Sequence, residues 1–235
     1  TKDTWGFWRK QVLQEESNVQ FGEGGAGTFS DGKLWSQVKD PTHLGRKVLE
    51  EMVKGGAPDE ILYVSKPHIG TFRLVKVVEY MRGEIERLGG EIRFSTRVEE
   101  VVLDQNSKND TAASHTLRGL RVINLQTGEK SEIDATHVVL AVGHSARDTF
   151  EMLHQQGVFI EAKPFSIGFR IEHPQSVIDR ARFGDRDGHP QIITEHVGAA
   201  DYKLVHHAKN GRSVYSFCMC PGGTVVAATS EVGRV

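Results

Sequence analysis

Between residues 22 and 33 the chain reads GEGGAGTFSDGK, and this glycine-rich segment is the feature that most limits what the chain can fold into. Clustered glycines let backbone amides approach a ligand and adopt φ > 0 without steric cost. Successive amides of this kind form a concave site that suits a phosphate group. The whole chain has 25 glycines in 235 residues, so the enrichment is general as well as local. We expect a ligand-binding loop, with a flexible surface loop as the alternative that composition allows.

Two nucleotide-binding motifs overlap in this segment, and each lacks part of its pattern. Gly22, Gly24 and Gly27 match G-x-G-x-x-G, which needs a strand before it and a helix after it. The flanking residues favour neither element. An overlapping stretch that ends at Lys33 matches the phosphate loop G-x-x-x-x-G-K, but Leu34 stands where a Ser or Thr hydroxyl would bind Mg²⁺. A third possibility is a loop that wraps a cofactor as a secondary contact, with the primary phosphate turn supplied upstream of this sequence.

Apolar spacing predicts two helices in the first half of the chain. One runs from Leu44 to Lys54 and ends at Gly55 and Gly56, in a common C-terminal style. The other runs from Thr71 to Leu88, where apolar residues recur at spacings of three and four. The residues of this stripe, which we expect to face the core, are Val75, Val78, Met81, Ile85 and Leu88.

The pattern then changes to the period of two that is typical of strands. It predicts a strand from Ile92 to Leu103, followed by a hairpin over residues 117–133. The apolar run HVVLAV at residues 137–142 predicts a further strand that is buried on both faces and ends at Gly143.

Two further features complete the expected fold. Ser145 and Asp148 predict a capping box at the start of a helix that reaches about Gln156. The order of helix, strand, β-meander, buried strand and helix predicts an α/β fold in which the meander interrupts a βαβ unit. After Val158 a second, more antiparallel layer of strands is predicted by the apolar residues Phe159, Ile160, Phe165, Ile167, Phe169 and Ile171.

Composition and charge exclude several classes of protein. No run approaches 18 consecutive apolar residues, so no membrane-spanning helix is predicted. A net charge of −2 gives no reason to expect nucleic-acid binding. No secretory signal is visible and two cysteines cannot form a disulfide framework, so we expect a cytoplasmic protein. Both ends of the chain read as internal, and we expect the sequence to be part of a longer protein.

The last third of the chain contains a cysteine pair and a histidine pair, which are candidates for a redox pair and a metal site. Cys218 and Cys220 fall on one face of a strand-like run, which favours two small core side chains over a redox pair. His206 and His207 lack an acidic partner at ligand spacing, so no metal site is predicted. No catalytic triad is visible in the sequence.

Six segments of the chain resemble one known family. They are FGEGGAGTFSDGKL (residues 21–34), KPHIGTFRL (66–74), VVLAVGHSARDTF (138–150), KPFSIGFRIEHPQ (163–175), ADYKLVHH (200–207) and YSFCMCPGGTVVAATSE (215–231). In order and length these segments resemble the FAD-dependent dehydrogenases of the glutathione-reductase-like superfamily, a group of bacterial flavoproteins. The resemblance extends over almost the whole chain.

The resemblance implies an FAD-dependent oxidoreductase that transfers a hydride or electrons between a bound flavin and a small-molecule redox substrate, with NAD(P)H as one candidate electron donor. Residues 1–157 would be a partial Rossmann-type FAD-binding domain with a β-meander insertion, whose first βαβ unit precedes Thr1. Residues 158–235 would be part of a second, more antiparallel α+β domain. Because the flavin carries the redox chemistry, no catalytic residue is assigned. A non-enzymatic nucleotide-binding or interaction module stays the alternative.

The resemblance also implies where FAD lies. The glycine-rich segment would follow its pyrophosphate and ribityl side, Val98 would offer backbone contacts near the adenine, and residues 141–143 would form a second turn close to the cofactor. Lys33 would balance a phosphate or the reduced flavin, and His144 would approach the cofactor. The cofactor-binding residues expected on this basis are Gly22, Glu23, Gly24, Gly25, Ala26, Gly27, Thr28, Ser30, Asp31, Gly32, Lys33, Val98, Ala141, Val142, Gly143 and His144.

Overall fold

The structure, a computed structural model, describes residues 2–30, 32–34, 39–105, 115–184, 196–217, 219–221 and 225–233. The chain divides into two compact units. The first unit comprises Thr1–Ala162 with Ala228–Val235, and the second unit comprises Lys163–Ala227. The assignment of residues 1–157 to FAD binding and of residues 158–235 to a second domain stays a prediction.

Four α-helices are described in the first unit: α1 (Lys2–Lys10), α2 (Leu44–Lys54), α3 (Thr71–Arg87) and α4 (Arg147–Gln155). The helices predicted over residues 44–54 and 71–88 are therefore confirmed. These two helices enclose a small core of buried residues. A short 3-10 helix at Asp59–Leu62 lies between them in the chain and contributes Ile61 to this core. The members of this core are Ala57, Ile61, Ile69 and Val77.

The buried face of α3 differs from the predicted stripe. Its centre is Val77, which is 1% exposed, and Leu74 and Met81 pack beside it against the core. Ile85 and Leu88, which were expected to face the core, are 45% and 73% exposed. The stripe is therefore confirmed at Met81 and wrong at Ile85 and Leu88, because the last turn of α3 extends beyond the small core on which the helix packs.

The first unit also holds an antiparallel β-meander of β1 (Thr96–Gln105), β2 (His115–Asn124) and β3 (Lys130–Asp134) in the order β1-β2-β3. This confirms the predicted meander and hairpin. The first strand begins at Thr96 rather than at Ile92, and its register shifts between Val98 and Glu100. The meander buries Val101 and Val122 on its inner face.

The buried strand predicted for HVVLAV is wrong. Residues 137–143 form neither helix nor strand, and Val139 and Leu140 are 90% and 47% exposed. A strand buried on both faces needs neighbours in its sheet and a layer on each side, and no strand that the structure describes pairs with this run. The capping box is wrong as well: α4 begins after Ala146, and no side chain caps it.

The second unit contains α5 (Gln175–Phe183) and a two-stranded antiparallel sheet of β4 (Val205–His207) and β5 (Ser213–Tyr215). The strands expected between Phe159 and Ile171 are wrong, because residues 158–174 form no strand. Among the residues described in this unit, Ala200 is the one buried hydrophobic side chain.

The chain is thus a mixed α and β protein with two antiparallel sheets among its described residues. A Rossmann-type parallel arrangement stays a prediction. In the parts of the chain that the structure describes, no helix combines the length and the apolar character needed to cross a bilayer.

Candidate functional site

Asn18 organises the backbone that leads into the glycine-rich segment. Its side chain is buried, and its amide nitrogen donates to the carbonyls of Gln14 at 2.9 Å and Glu15 at 3.0 Å. Its Oδ1 accepts from the backbone N–H groups of Gln20 at 2.8 Å and Phe21 at 3.1 Å. Asn and Asp favour such turns because their side chains bond to backbone groups a few residues away. One buried amide therefore fixes residues 14–21 without a helix or a strand.

The centre of the loop is a 3-10 helix, Ala26–Phe29, held to the preceding glycines by Thr28. The Thr28 side chain is buried, and its Oγ1 donates to the carbonyl of Gly24 at 2.8 Å. A Cβ on Gly24 would lie 2.1 Å from the Thr28 Oγ1, so a side chain at position 24 cannot be accommodated unless Thr28 moves. Glycine at position 24 is required by close packing within the loop itself.

The far end of the loop is tied to the helical core. Gly32 has φ +61°, and a Cβ there would lie 3.0 Å from the Cβ of Ile69. Its carbonyl accepts from the Ile69 N–H at 3.1 Å, and the Leu34 N–H donates to the carbonyl of Pro67 at 2.9 Å. Lys33 stands between these bonds and forms a bridge with His68. Residues 32–34 therefore pair with residues 67–69, one of which belongs to the core.

Three aromatic rings hold the loop against α1. The Trp8 ring meets the Phe29 ring edge to face, with centroids 5.8 Å apart. Trp5 packs on Trp8 in the same T-shaped way at 5.4 Å. Such pairs contribute about 0.5–1.5 kcal/mol beyond the area they bury. The aromatic stretch near the start of the chain therefore positions the loop.

Two arginines tie residues 16–23 to the beginning of β1. The Nη1 of Arg82 on α3 lies 3.0 Å from the Glu23 carboxylate, and its guanidinium lies 5.6 Å from the centre of the Phe94 ring. The Nη1 of Arg97 lies 2.7 Å from the carboxylate of Glu16. That hydrogen bond is the main reason why the pKa of Arg97 is raised above its usual value. The loop and the start of β1 are therefore neighbours.

Val98 follows Arg97 in β1. It pairs with Val122 of β2, and its side chain is 36% exposed. The ion pair of Arg97 with Glu16 brings this part of β1 close to the approach to the loop. The role of Val98 in contacting an adenine stays a prediction.

The helix α4, which follows the second predicted turn at residues 141–143, and the chain just before the loop both contact a short segment near residue 230. The Gln20 side chain donates to the carbonyl of Ala228 at 2.8 Å, and Arg147 lies 3.1 Å from the carboxylate of Glu231. The Cα atoms of residues 228 and 231 can be at most about 11 Å apart. Gln20, just before the loop, and Arg147, the first residue of α4, therefore contact the same short segment, residues 228–231.

No hydrogen bond among the described residues joins Ala141, Val142 or Gly143 to the loop directly. His144 is exposed, and its Nε2 lies 3.4 Å from the Ser145 hydroxyl. The contact of Ala141, Val142, Gly143 and His144 with a cofactor stays a prediction.

Neither nucleotide-binding motif has its required setting. Residues 11–25 form neither helix nor strand, and the four-residue 3-10 helix after Gly25 is too short to serve as the helix of a dinucleotide fingerprint. Lys33 itself lies in an isolated β-bridge with His68, whereas the lysine of a phosphate loop lies at the start of a helix. Two interpretations stay open: a loop that contacts a cofactor as a secondary contact, and a surface loop without a ligand.

The loop presents backbone that a ligand could approach. A Cβ on Gly25 or on Gly27 would meet no atom within 4 Å, so both positions face open space. Neither the Glu23 nor the Gly24 amide donates a hydrogen bond to another residue that the structure describes. This arrangement fits an anionic group that approaches the loop.

The histidine and cysteine pairs in the last third of the chain show no arrangement typical of a functional site among the described residues. His206 and His207 lie exposed in β4, and the Nδ1 of His207 is 2.9 Å from the Ser213 hydroxyl. In the described part of the chain, no three His, Cys, Asp or Glu side chains come close enough to hold a metal ion. Asp31 and Cys218 lie outside the described residues. Cys220 is exposed, so the expectation that it is a core side chain is wrong.

Sequence reasoning missed Asn18 and Arg82. Asn18 could have been found, because an Asn that precedes a glycine-rich loop is a common turn-forming residue. Arg82 carries no such signal: an arginine in an amphipathic helix is typical of a solvated face. Only its contact with Glu23, 59 positions away in sequence, reveals its connection to the loop.

Comparison with known proteins gives the chemical setting. Residues 164–235 match the family described as FAD-dependent protein, C-terminal domain-like. This match suggests an FAD-dependent protein. The chain is also 47% identical over 230 residues to an uncharacterized protein of Clostridium beijerinckii. The matched region is 97% of this chain but 39% of that relative, so the chain spans well under half the length of the relative.

Proposed function

We propose that the chain is part of an FAD-dependent oxidoreductase and that its glycine-rich loop helps to hold the cofactor. The observation that carries the proposal is the match of residues 164–235 to a family of FAD-dependent proteins. The open backbone of the loop supports it, because amides without side-chain bulk suit the diphosphate of a dinucleotide. When bound, the flavin would supply the hydride or electron transfer itself.

In this proposal the protein binds and orients the cofactor. Gly25 and Gly27 leave room for the diphosphate, because a side chain at either position would occupy the space it enters. Thr28 and Asn18 keep the loop in shape before the ligand arrives. A preformed loop binds more tightly than a flexible one, because less conformational entropy is lost on binding.

The test is FAD titration of the longest natural polypeptide that contains this sequence, followed by flavin fluorescence and by thermal stability. Gly27→Ala is the informative variant, because it adds one methyl group in open space and leaves the backbone unstrained. Gly25→Val, which the sequence also predicts to weaken binding, is confounded because Gly25 has φ +56° and a β-branched residue there would be strained.

We expect Gly27→Ala to weaken FAD binding roughly tenfold with no loss of melting temperature, a change of about 1.4 kcal/mol in binding. Gly6→Ala in α1 is the matched control, because its Cβ also meets nothing within 4 Å and it lies outside the loop. A wild-type protein that neither retains FAD nor is stabilised by it would overturn the proposed function. Oxidation of NADH or NADPH by the FAD-loaded protein then tests the electron donor.

A further inference from the structure

Arg82 has more hydrogen-bonding capacity than its contacts use. A guanidinium carries five N–H donors in a rigid planar fork. In Arg82 one of them, on Nη1, is directed to the Glu23 carboxylate at 3.0 Å, and no other donor reaches a residue that the structure describes. One side of the group faces the Phe94 ring at 5.6 Å. The Arg82 and Glu23 side chains are 33% and 30% exposed, so the pair is accessible to a ligand.

The other arginines near this site are differently engaged. Arg87, one turn further along α3, makes a two-bond contact with Glu84 at 2.9 and 2.7 Å. Arg97 contacts the carboxylates of both Glu16 and Glu99. Arg82 instead contacts one carboxylate oxygen and leaves most of its fork unused. An arginine of this kind suits an oxyanion that accepts two parallel hydrogen bonds.

Two backbone donors belong to the residue that Arg82 contacts and to the residue that follows it. The Arg82 contact is with the side chain of Glu23, and the amides of Glu23 and Gly24 donate no hydrogen bond to another described residue. A planar cation and two neighbouring N–H groups make a donor set that matches the several oxygens of a phosphate. In this structure the Glu23 carboxylate is the group that accepts from the guanidinium.

We propose that Arg82 and the amides of Glu23 and Gly24 form a phosphate site for the bound dinucleotide, and that Glu23 is its internal competitor. The inference rests on the proposed function. Without ligand, Glu23 balances the guanidinium; on binding, a phosphate replaces the carboxylate, which turns to solvent. The exchange is favourable because exposed ion pairs contribute little, whereas a phosphate makes two hydrogen bonds to the fork and further bonds to the amides.

Two substitutions that each remove one charge, and that have opposite expected effects, test the inference. Arg82→Gln should weaken FAD binding about tenfold or more, because it removes the cation. Glu23→Gln should strengthen FAD binding by roughly two- to fivefold, because it removes the competing charge. Arg87→Gln, on the same helix but paired within it, is the matched control and should leave the affinity unchanged. Melting temperatures of the free proteins show whether each variant is folded.

Two further ligands identify which part of the cofactor is recognised. Riboflavin has no phosphate, so its affinity should not respond to Arg82→Gln, whereas the affinity for inorganic pyrophosphate should fall with that of FAD. Should both variants weaken FAD binding equally, the ion pair merely shapes the loop and the inference is overturned. An affinity that neither variant changes also overturns it. Absence of FAD binding by the wild-type protein would instead refute the proposed function.

Discussion

Residues 14–30 and residues 163–174 both lack α-helix and β-strand, yet they are held in opposite ways. The first segment is rich in glycine and polar residues, and it buries Asn18, Val19 and Thr28. The second alternates apolar and polar residues, but its large apolar side chains are exposed, with Phe165 86% and Phe169 93% exposed. From composition alone one would expect the apolar segment to be the buried one and the glycine-rich segment to be the exposed one.

The difference lies in which groups make contacts. In the glycine-rich segment, buried side chains satisfy backbone groups that no helix or strand satisfies, and a free backbone polar group in the interior is costly. In residues 163–174 the contacts are made by the polar side chains: Ser166 bonds to Tyr215, and His173 bonds to Tyr202 at 3.0 Å. The apolar side chains contribute little to the folding of this chain because they remain in water.

The largest expected effect comes from Asn18→Ala. The substitution leaves two amides and two carbonyls without their partner in a partly buried turn. We expect it to lower the free energy of unfolding by roughly 2–4 kcal/mol, because each unsatisfied buried group costs about 1–3 kcal/mol and water will reach some of them. Chemical denaturation of the wild type and the variant measures this loss in the free energy of unfolding.

Asn124 offers the matched control for this prediction. Its Oδ1 also accepts from two backbone amides, those of Gln126 and Thr127, but at an exposed hairpin turn. Asn124→Ala should therefore cost less than Asn18→Ala, because water can replace the lost bonds. Equal losses would contradict the conclusion that burial makes Asn18 important.

A smaller loss is expected for Gly24→Ala. The new methyl group must displace Thr28 Oγ1, which would lie 2.1 Å away, and so break its bond to the Gly24 carbonyl. Overpacking of this kind costs about 1–3 kcal/mol. Gly27→Ala, three positions later, meets open space and should change stability by less than about 0.5 kcal/mol. Thermal unfolding of the two variants side by side compares a packed glycine with an unpacked one.

Almost no effect is expected in the second segment. Phe169→Ser removes a ring that is 93% exposed, and it should change the free energy of unfolding by less than about 0.5 kcal/mol. Sedimentation of the chain should be run in parallel, so that stability is compared at one state of association. A loss above about 1 kcal/mol would mean that the ring is covered in solution, and the contrast between the two segments would fail.

The smallest effect concerns a surface ion cluster outside both segments. Hydrogen bonds from Lys47 and Lys54 lower the pKa of Glu51 to about 2. Because this folded-state pKa lies below the unfolded value of 4.5, the contribution is complete above pH 4.5 and is lost as pH falls toward 2. Glu51→Gln should slightly flatten the dependence of stability on pH in that range. A variant whose pH dependence equals that of the wild type would contradict this assignment.

Sequence analysis anticipated the elements that local pattern determines. The helices α2 and α3 and the meander follow from apolar spacing and turn residues, and they lie where the pattern places them except that the first strand begins four residues later. The run HVVLAV and the segment around Phe165 were misread because their apolar residues indicate burial, and burial depends on partners that a local pattern does not contain.

The glycine-rich loop was found from composition, but what holds it was not. Thr28 bonds within the loop, whereas Arg82 and Ile69 reach it from distant positions in the sequence. Long-range contacts of this kind leave no periodic trace. The contact of Phe29 with Trp8 is another example, since the aromatic residues of α1 gave no sign of their partner.

Amide hydrogen exchange, with and without FAD, tests the central claim most directly. In the longest natural polypeptide that contains this sequence, the Glu23 and Gly24 amides should exchange about tenfold more slowly when FAD is saturating, because they then donate to the cofactor. The hairpin turn at residues 125–128 is the reference, and its exchange should not change. Equal loop exchange in the free and FAD-saturated protein would show that this backbone does not contact the cofactor, and the account would be wrong.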